Sequence, residues 1–398
     1  MFMKLLDRHW IESRRMVEKQ ARVAARLRRL FAFGLFAGAV GCAQYGADQG
    51  YLGALATLSV SGSSPVESIT QVPTTVITGS PTNVAISAVD LSRSFVLCSQ
   101  TAGSSRPNNI VTCKLSATNQ VTIETSDPNN QNVALSVVQF SSGASVQRGS
   151  TTLGAADGFV DITISSVNLA QTFVLVTSRM NSTDTTIDQQ RTVAPLLPAA
   201  TTLRLFRGAT GTAVDIEWQV IQLSGASVQS GVATMNNGTA SVVVSPLAFD
   251  ANKTFVIAYV YADAAVLGRE NSLYVRGVVT SSNTVEFYRD QSTGTANVAY
   301  FLVSMTDATT VQRGSVDFSA AYTNTPPLSG SLSAVDTNRS VVLARATIVQ
   351  PGTPTSTSDQ DSGQIRAALS STTAIEIERG SGENPRTGTI NWQVVQFQ

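Results

Sequence analysis

Trp218-Gln-Val-Ile-Gln-Leu223 and Trp392-Gln-Val-Val-Gln-Phe397 are nearly the same six residues, and Leu135-Ser-Val-Val-Gln-Phe140 and Tyr300-Phe-Leu-Val-Ser-Met305 are diverged versions of them. Ahead of Trp218 the pattern has period two: Ile216, Trp218 and Val220 fall on one face, and Asp215, Glu217 and Gln219 on the other. That is the signature of a strand with one buried face. The phase then slips, because Ile221 and Leu223 put apolar groups on the polar face. Val395 and Phe397 do the same after Ile390, Trp392 and Val394, and the slip recurs at Val138/Phe140 and Val303/Met305. Such a slip requires either a bulge or a second apolar surface to cover it. It predicts that this end of the strand packs against another strand or a neighbouring unit, and units burying such patches against each other would stack into a semi-rigid rod.

Two further markers precede each copy of that strand in fixed order. One is Val-Gln-Arg-Gly at 146–149, Val-Gln-Ser-Gly at 228–231 and Val-Gln-Arg-Gly at 311–314, with Val66-Glu-Ser-Ile as a weaker first copy. The other is an apolar strand beginning at Phe95, Phe173, Phe255 or Val341, with Asp90, Asn168, Asp250 or Asp336 five residues before it. Asp and Asn bond their own backbone in turns, so this offset reads as a corner between two strands. The repeat places four units at 65–143, 144–226, 227–309 and 310–398, after a Gly/Ala/Ser-rich tether at 42–64. About six alternating runs per unit, separated by Gly, Asn and Ser turns, predict an all-β chain of four small antiparallel β-sandwiches. Helical spacing is not found after residue 41.

The first 41 residues have another composition. Residues 1–29 carry nine Lys/Arg and three Asp/Glu, and Leu30 to Val40 is an apolar run ending at Gly41-Cys42. Basic segment, short apolar core and small-residue site make a secretory signal, too short to span a bilayer. Ala39-Val40-Gly41-Cys42 resembles a bacterial lipobox, although position 39 is usually Leu there. The resemblance implies lipidation of Cys42 and attachment to the outer membrane; an ordinary signal with an incidental cysteine is the alternative. Beyond the leader, 18 basic and 24 acidic residues leave a charge near −6, which argues against a nucleic-acid partner. Cys98 and Cys113 flank the turn-rich Gly103–Asn109 almost symmetrically. In an antiparallel hairpin they would face each other, so export predicts a disulfide, with two buried thiols as the alternative.

The residues after 41 restrict the chemistry. Histidine is absent there, which removes Ser-His-Asp and Cys-His catalysis and His-ligated metals. Lysine occurs only at 114 and 253, neither in a Ser-x-x-Lys motif. The acidic residues Asp215, Glu217, Glu286, Glu376 and Glu378 read as solvated strand faces or strand ends, and Asp359 and Asp361 lack a calcium-ligand pattern. The chain therefore reads as a non-enzyme without cofactor or metal. Arginine is the residue of interest. Arg207, Arg289 and Arg379 recur at the end of the strand before the closing one, where the first unit has Thr125, and Arg148 and Arg313 recur in the opening marker. A planar fork of donors suits carboxylates and sugar hydroxyls, so the first three are candidate ligand-binding residues; pairing with a carboxylate of the same unit is the alternative.

The order of Val-Gln-Ser-Gly, a Phe-Val-Ile strand and an aromatic-led closing strand resembles the H-type lectin module. That resemblance covers each unit and implies a six-stranded sandwich, sugar binding and self-association into a homo-oligomer. The aromatic-plus-histidine sugar contacts of some members have no counterpart here. The expected role is adhesion, or binding of glycans or surface proteins, at the cell surface; a structural stalk, fibre or coat component and a carboxylate-dependent hydrolase are alternatives. An outer-membrane barrel is weaker still, since aromatic residues are sparse and a lipobox is the wrong address. The fourth unit alone carries a long Pro/Thr/Ser-rich insertion at about 349–363, the place expected to bind if one unit does.

Overall fold

Strand six of each unit, the one that carries the repeated hexapeptide, lies in the middle of a three-stranded antiparallel sheet with strands one and three on its flanks. A computed structural model describes residues 65–398 apart from 102–109, 129, 181–189, 263–269, 320–327, 350–363 and 380–386. The leader, the tether with Cys42, and Asp359 and Asp361 lie outside the described residues, as does almost all of the fourth-unit insertion. Strand one is Val66–Ile77, Ala144–Leu153, Ala226–Met235 or Thr310–Phe318. Strand three is Ser94–Gln100, Thr172–Met180, Thr254–Ala262 or Ser340–Val349, and strand six is Gln131–Phe140, Val214–Leu223, Ala296–Met305 or Thr387–Gln396. Strand two is Thr82–Ala85, Phe159–Thr163, Ser241–Val244 or Leu328–Ser331. Strand four is Val111–Ala117, Ala194–Ala199, Arg276–Ser281 or Ile365–Ser371, and strand five is Gln120–Thr125, Thr202–Phe206, Thr284–Tyr288 or Ala374–Arg379. Strands two, five and four form a second sheet in that order, so the described residues are all-β, in eight three-stranded sheets.

The repeated Asp or Asn forms the corner that starts strand three. Asp90, Asn168, Asp250 and Asp336 each accept a hydrogen bond from the backbone N–H two residues on, capping a short 3-10 turn. Their carbonyls accept from the Ser or Thr that opens the strand. Hydrogen bonds from Ser92 and Arg93 hold the Asp90 carboxyl down to about 2.

The opening and closing markers are two halves of one contact. Gly149, Gly231 and Gly314 pair in register with Trp218, Tyr300 and Trp392. The aromatic lies across the glycine backbone: a Cβ on Gly149 would sit 2.5 Å from Trp218 Cζ2, and one on Gly314 2.3 Å from Trp392 Cζ2. In the first unit the same register position pairs Val72 with Leu135, where neither an aromatic nor a glycine is present. The counterpart of Val146 is therefore Ile69, opposite Val138, rather than Val66.

The phase slip is resolved without a bulge in strand six. Val214–Leu223 pairs with strand one without interruption, and the third and fourth units do likewise. Its second apolar face is buried instead. Val138, Phe140, Ile221, Leu223, Val303, Met305, Val395 and Phe397 all belong to one apolar cluster drawn from four units, whereas the first, third and fourth units keep separate cores between their own sheets.

That shared cluster closes a ring rather than a rod. Phe95 touches Phe173, Phe173 touches Phe255, Phe255 touches Phe397, and Phe397 touches Phe140 beside Phe95, with centroids 5.7–6.4 Å apart. The chain ends of the ring meet where Val66 N donates to the Gln398 carbonyl at 2.9 Å. Head-to-tail contacts whose rotation closes make a ring, and closure leaves no terminal unit with its slip face exposed.

Candidate functional site

Strand three of every unit faces the ring axis with alternate residues, and these form layers of four. Phe95, Phe173, Phe255 and Val341 make the first layer, and Leu97, Leu175, Ile257 and Leu343 the second; together they line a small apolar space. The third layer is Ser99, Thr177, Tyr259 and Arg345, and here the axis opens into a cavity of about 520 Å³ to which all four units contribute. This size is within the usual range of small-molecule sites.

Each third-layer side chain bonds the backbone of an adjacent unit, in a way that unit's sequence dictates. Ser99 Oγ accepts from Ala367 N at 3.0 Å and donates to its carbonyl, and Thr177 Oγ1 accepts from Cys113 N at 3.1 Å. At the equivalent place the second unit has Pro195, opposite Leu205, and proline has no N–H to offer. Tyr259 is longer and passes this position, accepting from Val176 N at 3.0 Å and donating to the Val174 carbonyl at 3.2 Å. Burial pushes its hydroxyl up to about 12. Arg345 Nη2 donates to the Ala258 carbonyl at 3.1 Å, and its remaining length stands in the open space of the cavity. Protein surrounding it pulls its pKa below the ordinary arginine value, with Tyr259 acting in the opposite sense.

The joints between units are polar around this centre. Gln219 bridges Val96, accepting from its N–H and donating to its carbonyl, both at 2.9 Å, and Gln393 does the same to Val256. An edge strand is thereby paired by a side-chain amide instead of another strand. Arg148 donates to the carbonyls of Leu91 and Ser94, Arg313 to that of Thr254, and Gln71 takes the same place at the joint between the fourth and first units, on Thr337 and Ser340.

The sequence-derived candidates have other tasks. Arg207 is 4% exposed and donates to the carbonyls of Asp157, Gln190, Thr212, Gly154 and Ala155. Arg289 binds those of Thr239, Met235, Asn236 and Ser292, and Arg379 is buried over the Phe318 ring. Arg207 and Arg289 hold their own units' loops by backbone oxygens, which corrects both the ligand-binding expectation and the carboxylate alternative for these two. Cys98 and Cys113 are joined by a disulfide, yet they lie on strands three and four, in different sheets, so the bridge fastens the edge of the sandwich and is not a cross-hairpin pair.

The acidic residues are also engaged. Glu217 and Asp215 belong to a network across the first joint, with Lys114 between Glu124 and Glu217 and Arg179 between Glu124 and Asp215. Glu376 and Glu378 clamp Arg366, which reaches the Pro73 carbonyl of the first unit, and Glu286 accepts from Tyr288. Solvated faces therefore describe these five poorly.

The third layer does have a signal in the sequence: it stands four residues after the first residue of the repeated apolar strand in all four units. No family model matches this chain, and no curated protein is close enough to count as a relative.

Proposed function

We propose that this is an exported surface protein, lipid-anchored at Cys42, that binds a small polar ligand, a carbohydrate first among them, in the axial cavity of its ring. The cavity carries the reading, since all four units line it and its walls combine apolar side chains with hydroxyl, amide and guanidinium groups. The lectin-like order of motifs supports the same class of ligand. Where a member of that family would use surface histidines and aromatics, this chain would use the interior of the ring. The stalk reading loses support, because a closed ring has no free repeat end to extend, and the carboxylate hydrolase because Asp215, Glu217, Glu376 and Glu378 are committed to ion pairs.

A glycan array probed with residues 43–398 tests the proposal. Binding is expected, and Leu343→Trp, which fills the cavity floor, is expected to abolish it while the fold persists by circular dichroism. Silence across diverse glycans, or binding unchanged by Leu343→Trp, would overturn it. Metabolic palmitate labelling tests the anchor: it should disappear in Cys42→Ala, and equal labelling of both proteins would sink that part.

A further inference from the structure

Among the described residues, the charges that line the cavity have one sign. Arg191, Arg313 and Arg345 are among its walls, and no aspartate or glutamate is among the described residues that line it. This occurs in a chain whose residues after 41 hold 24 acidic groups against 18 basic ones. Arg313 donates to the Thr254 carbonyl at the edge of the cavity. Arg345 stands at the axis itself, and its one hydrogen bond among the described residues is to the Ala258 carbonyl.

Arg366 provides the contrast. It occupies a comparable joint between units and is 1% exposed, but Glu376 and Glu378 neutralise it. Arg345 pairs with no carboxylate among the described residues. Arg345 is instead exposed to the cavity, so an anion entering there meets a positive charge that no carboxylate among the described residues has neutralised. The planar fork of arginine matches a carboxylate with two parallel N–H···O bonds. Beneath it Leu97, Leu175, Ile257 and Leu343 offer an apolar floor, which suits the carbon face of a ring-sized molecule better than a bare inorganic ion.

We infer that the cavity takes a carboxylate-bearing sugar, a uronic or sialic acid residue, with Arg345 holding the carboxylate over the apolar floor. This rests on the ligand-binding role proposed above and adds the ligand's charge and the residue that selects it.

The test is isothermal titration of residues 43–398 with uronic- and sialic-acid oligosaccharides, with the same sugars after carboxyl reduction, and with inorganic phosphate. The acidic sugars are expected to bind at least tenfold more tightly than their reduced forms. Arg345→Met should remove that preference, with an unchanged melting curve showing that the ring persists. If Arg345→Met fails to fold, Arg345→Lys keeps the charge but not the fork and should weaken the acidic sugars several-fold. Reduced sugars binding as well as acidic ones would overturn this inference and leave the binding role standing. So would phosphate competing with the same dependence on Arg345, which would make the ligand a simple oxyanion, and so would variants that bind as the parent does. Silence from every sugar, acidic or reduced, would remove both.

Discussion

Around the layer of Phe95, Phe173, Phe255 and Val341 the ring is closed by aromatic contacts that run through Phe397 and Phe140, whereas four residues further on, at Ser99, Thr177, Tyr259 and Arg345, the same third strands line a cavity. The apolar end has nothing to bond except other apolar groups, so its layer fills the axis. In the polar layer each side chain turns to the backbone of a neighbouring unit, and the axis is left open. One end therefore carries the cohesion of the ring, while the other is free to diversify, as its four unlike residues show. Cohesion and recognition have been separated along a single face of one strand.

The heaviest way to test that division is Phe173→Ala, which removes the ring between Phe95 and Phe255. We expect a loss of about 3–5 kcal/mol in chemical denaturation; a loss below about 1 kcal/mol would mean that the units hold together without the apolar layer. Tyr259 tests the polar end. Its hydroxyl is raised from the ordinary 10 to about 12, so the folded state holds the proton more tightly than the unfolded chain. The associated stability is complete below pH 10 and is lost as pH rises through 12, roughly 2–3 kcal/mol in all. Denaturation followed between pH 9 and 12 should show this decline, and Tyr259→Phe should flatten it; an equal decline in both would place the effect elsewhere.

A third substitution tests the walls. Gly314→Ala drives a methyl group into Trp392 and should cost roughly 1–3 kcal/mol by thermal melting. Gly314→Val combined with Trp392→Leu reproduces the aliphatic pair of the first unit, and should be less damaging than Gly314→Val alone. If the double variant is no better, the two markers are not one contact. The smallest effect belongs to Arg345→Met, which should shift stability by less than about 0.5 kcal/mol. A large loss there would make Arg345 part of the cohesive apparatus and erase the contrast between the two ends.

Much of each unit was legible in the residues because the interactions that shape it are local or periodic. The Asp or Asn corner is a contact across two residues, and alternation along Ala213 to Trp218 names the buried face of a strand. The slip at Ile221 and Leu223 announced a second apolar surface correctly, but not which surface. Rod and ring bury the same patches, and the choice depends on the rotation between neighbours, which no local pattern records. Arg207 and Arg289 illustrate a different difficulty. Their recurrence was visible, but an arginine that binds carbonyl groups of its own unit has the same sequence signature as one facing a ligand. For Cys98 and Cys113, symmetry about a turn suggested a hairpin, whereas strand four crosses to the other sheet.

By itself, then, the sequence determined the unit: its number, its roughly six strands, its corner, and the apolar face of its closing strand. These follow from backbone geometry and from periodicity over a few residues. Only the tertiary structure decided that four units close around an axis and that Ser99, Thr177, Tyr259 and Arg345 become one layer. Those residues are about 80 apart in the chain, and their meeting depends on small rotations summed over four joints to a full turn.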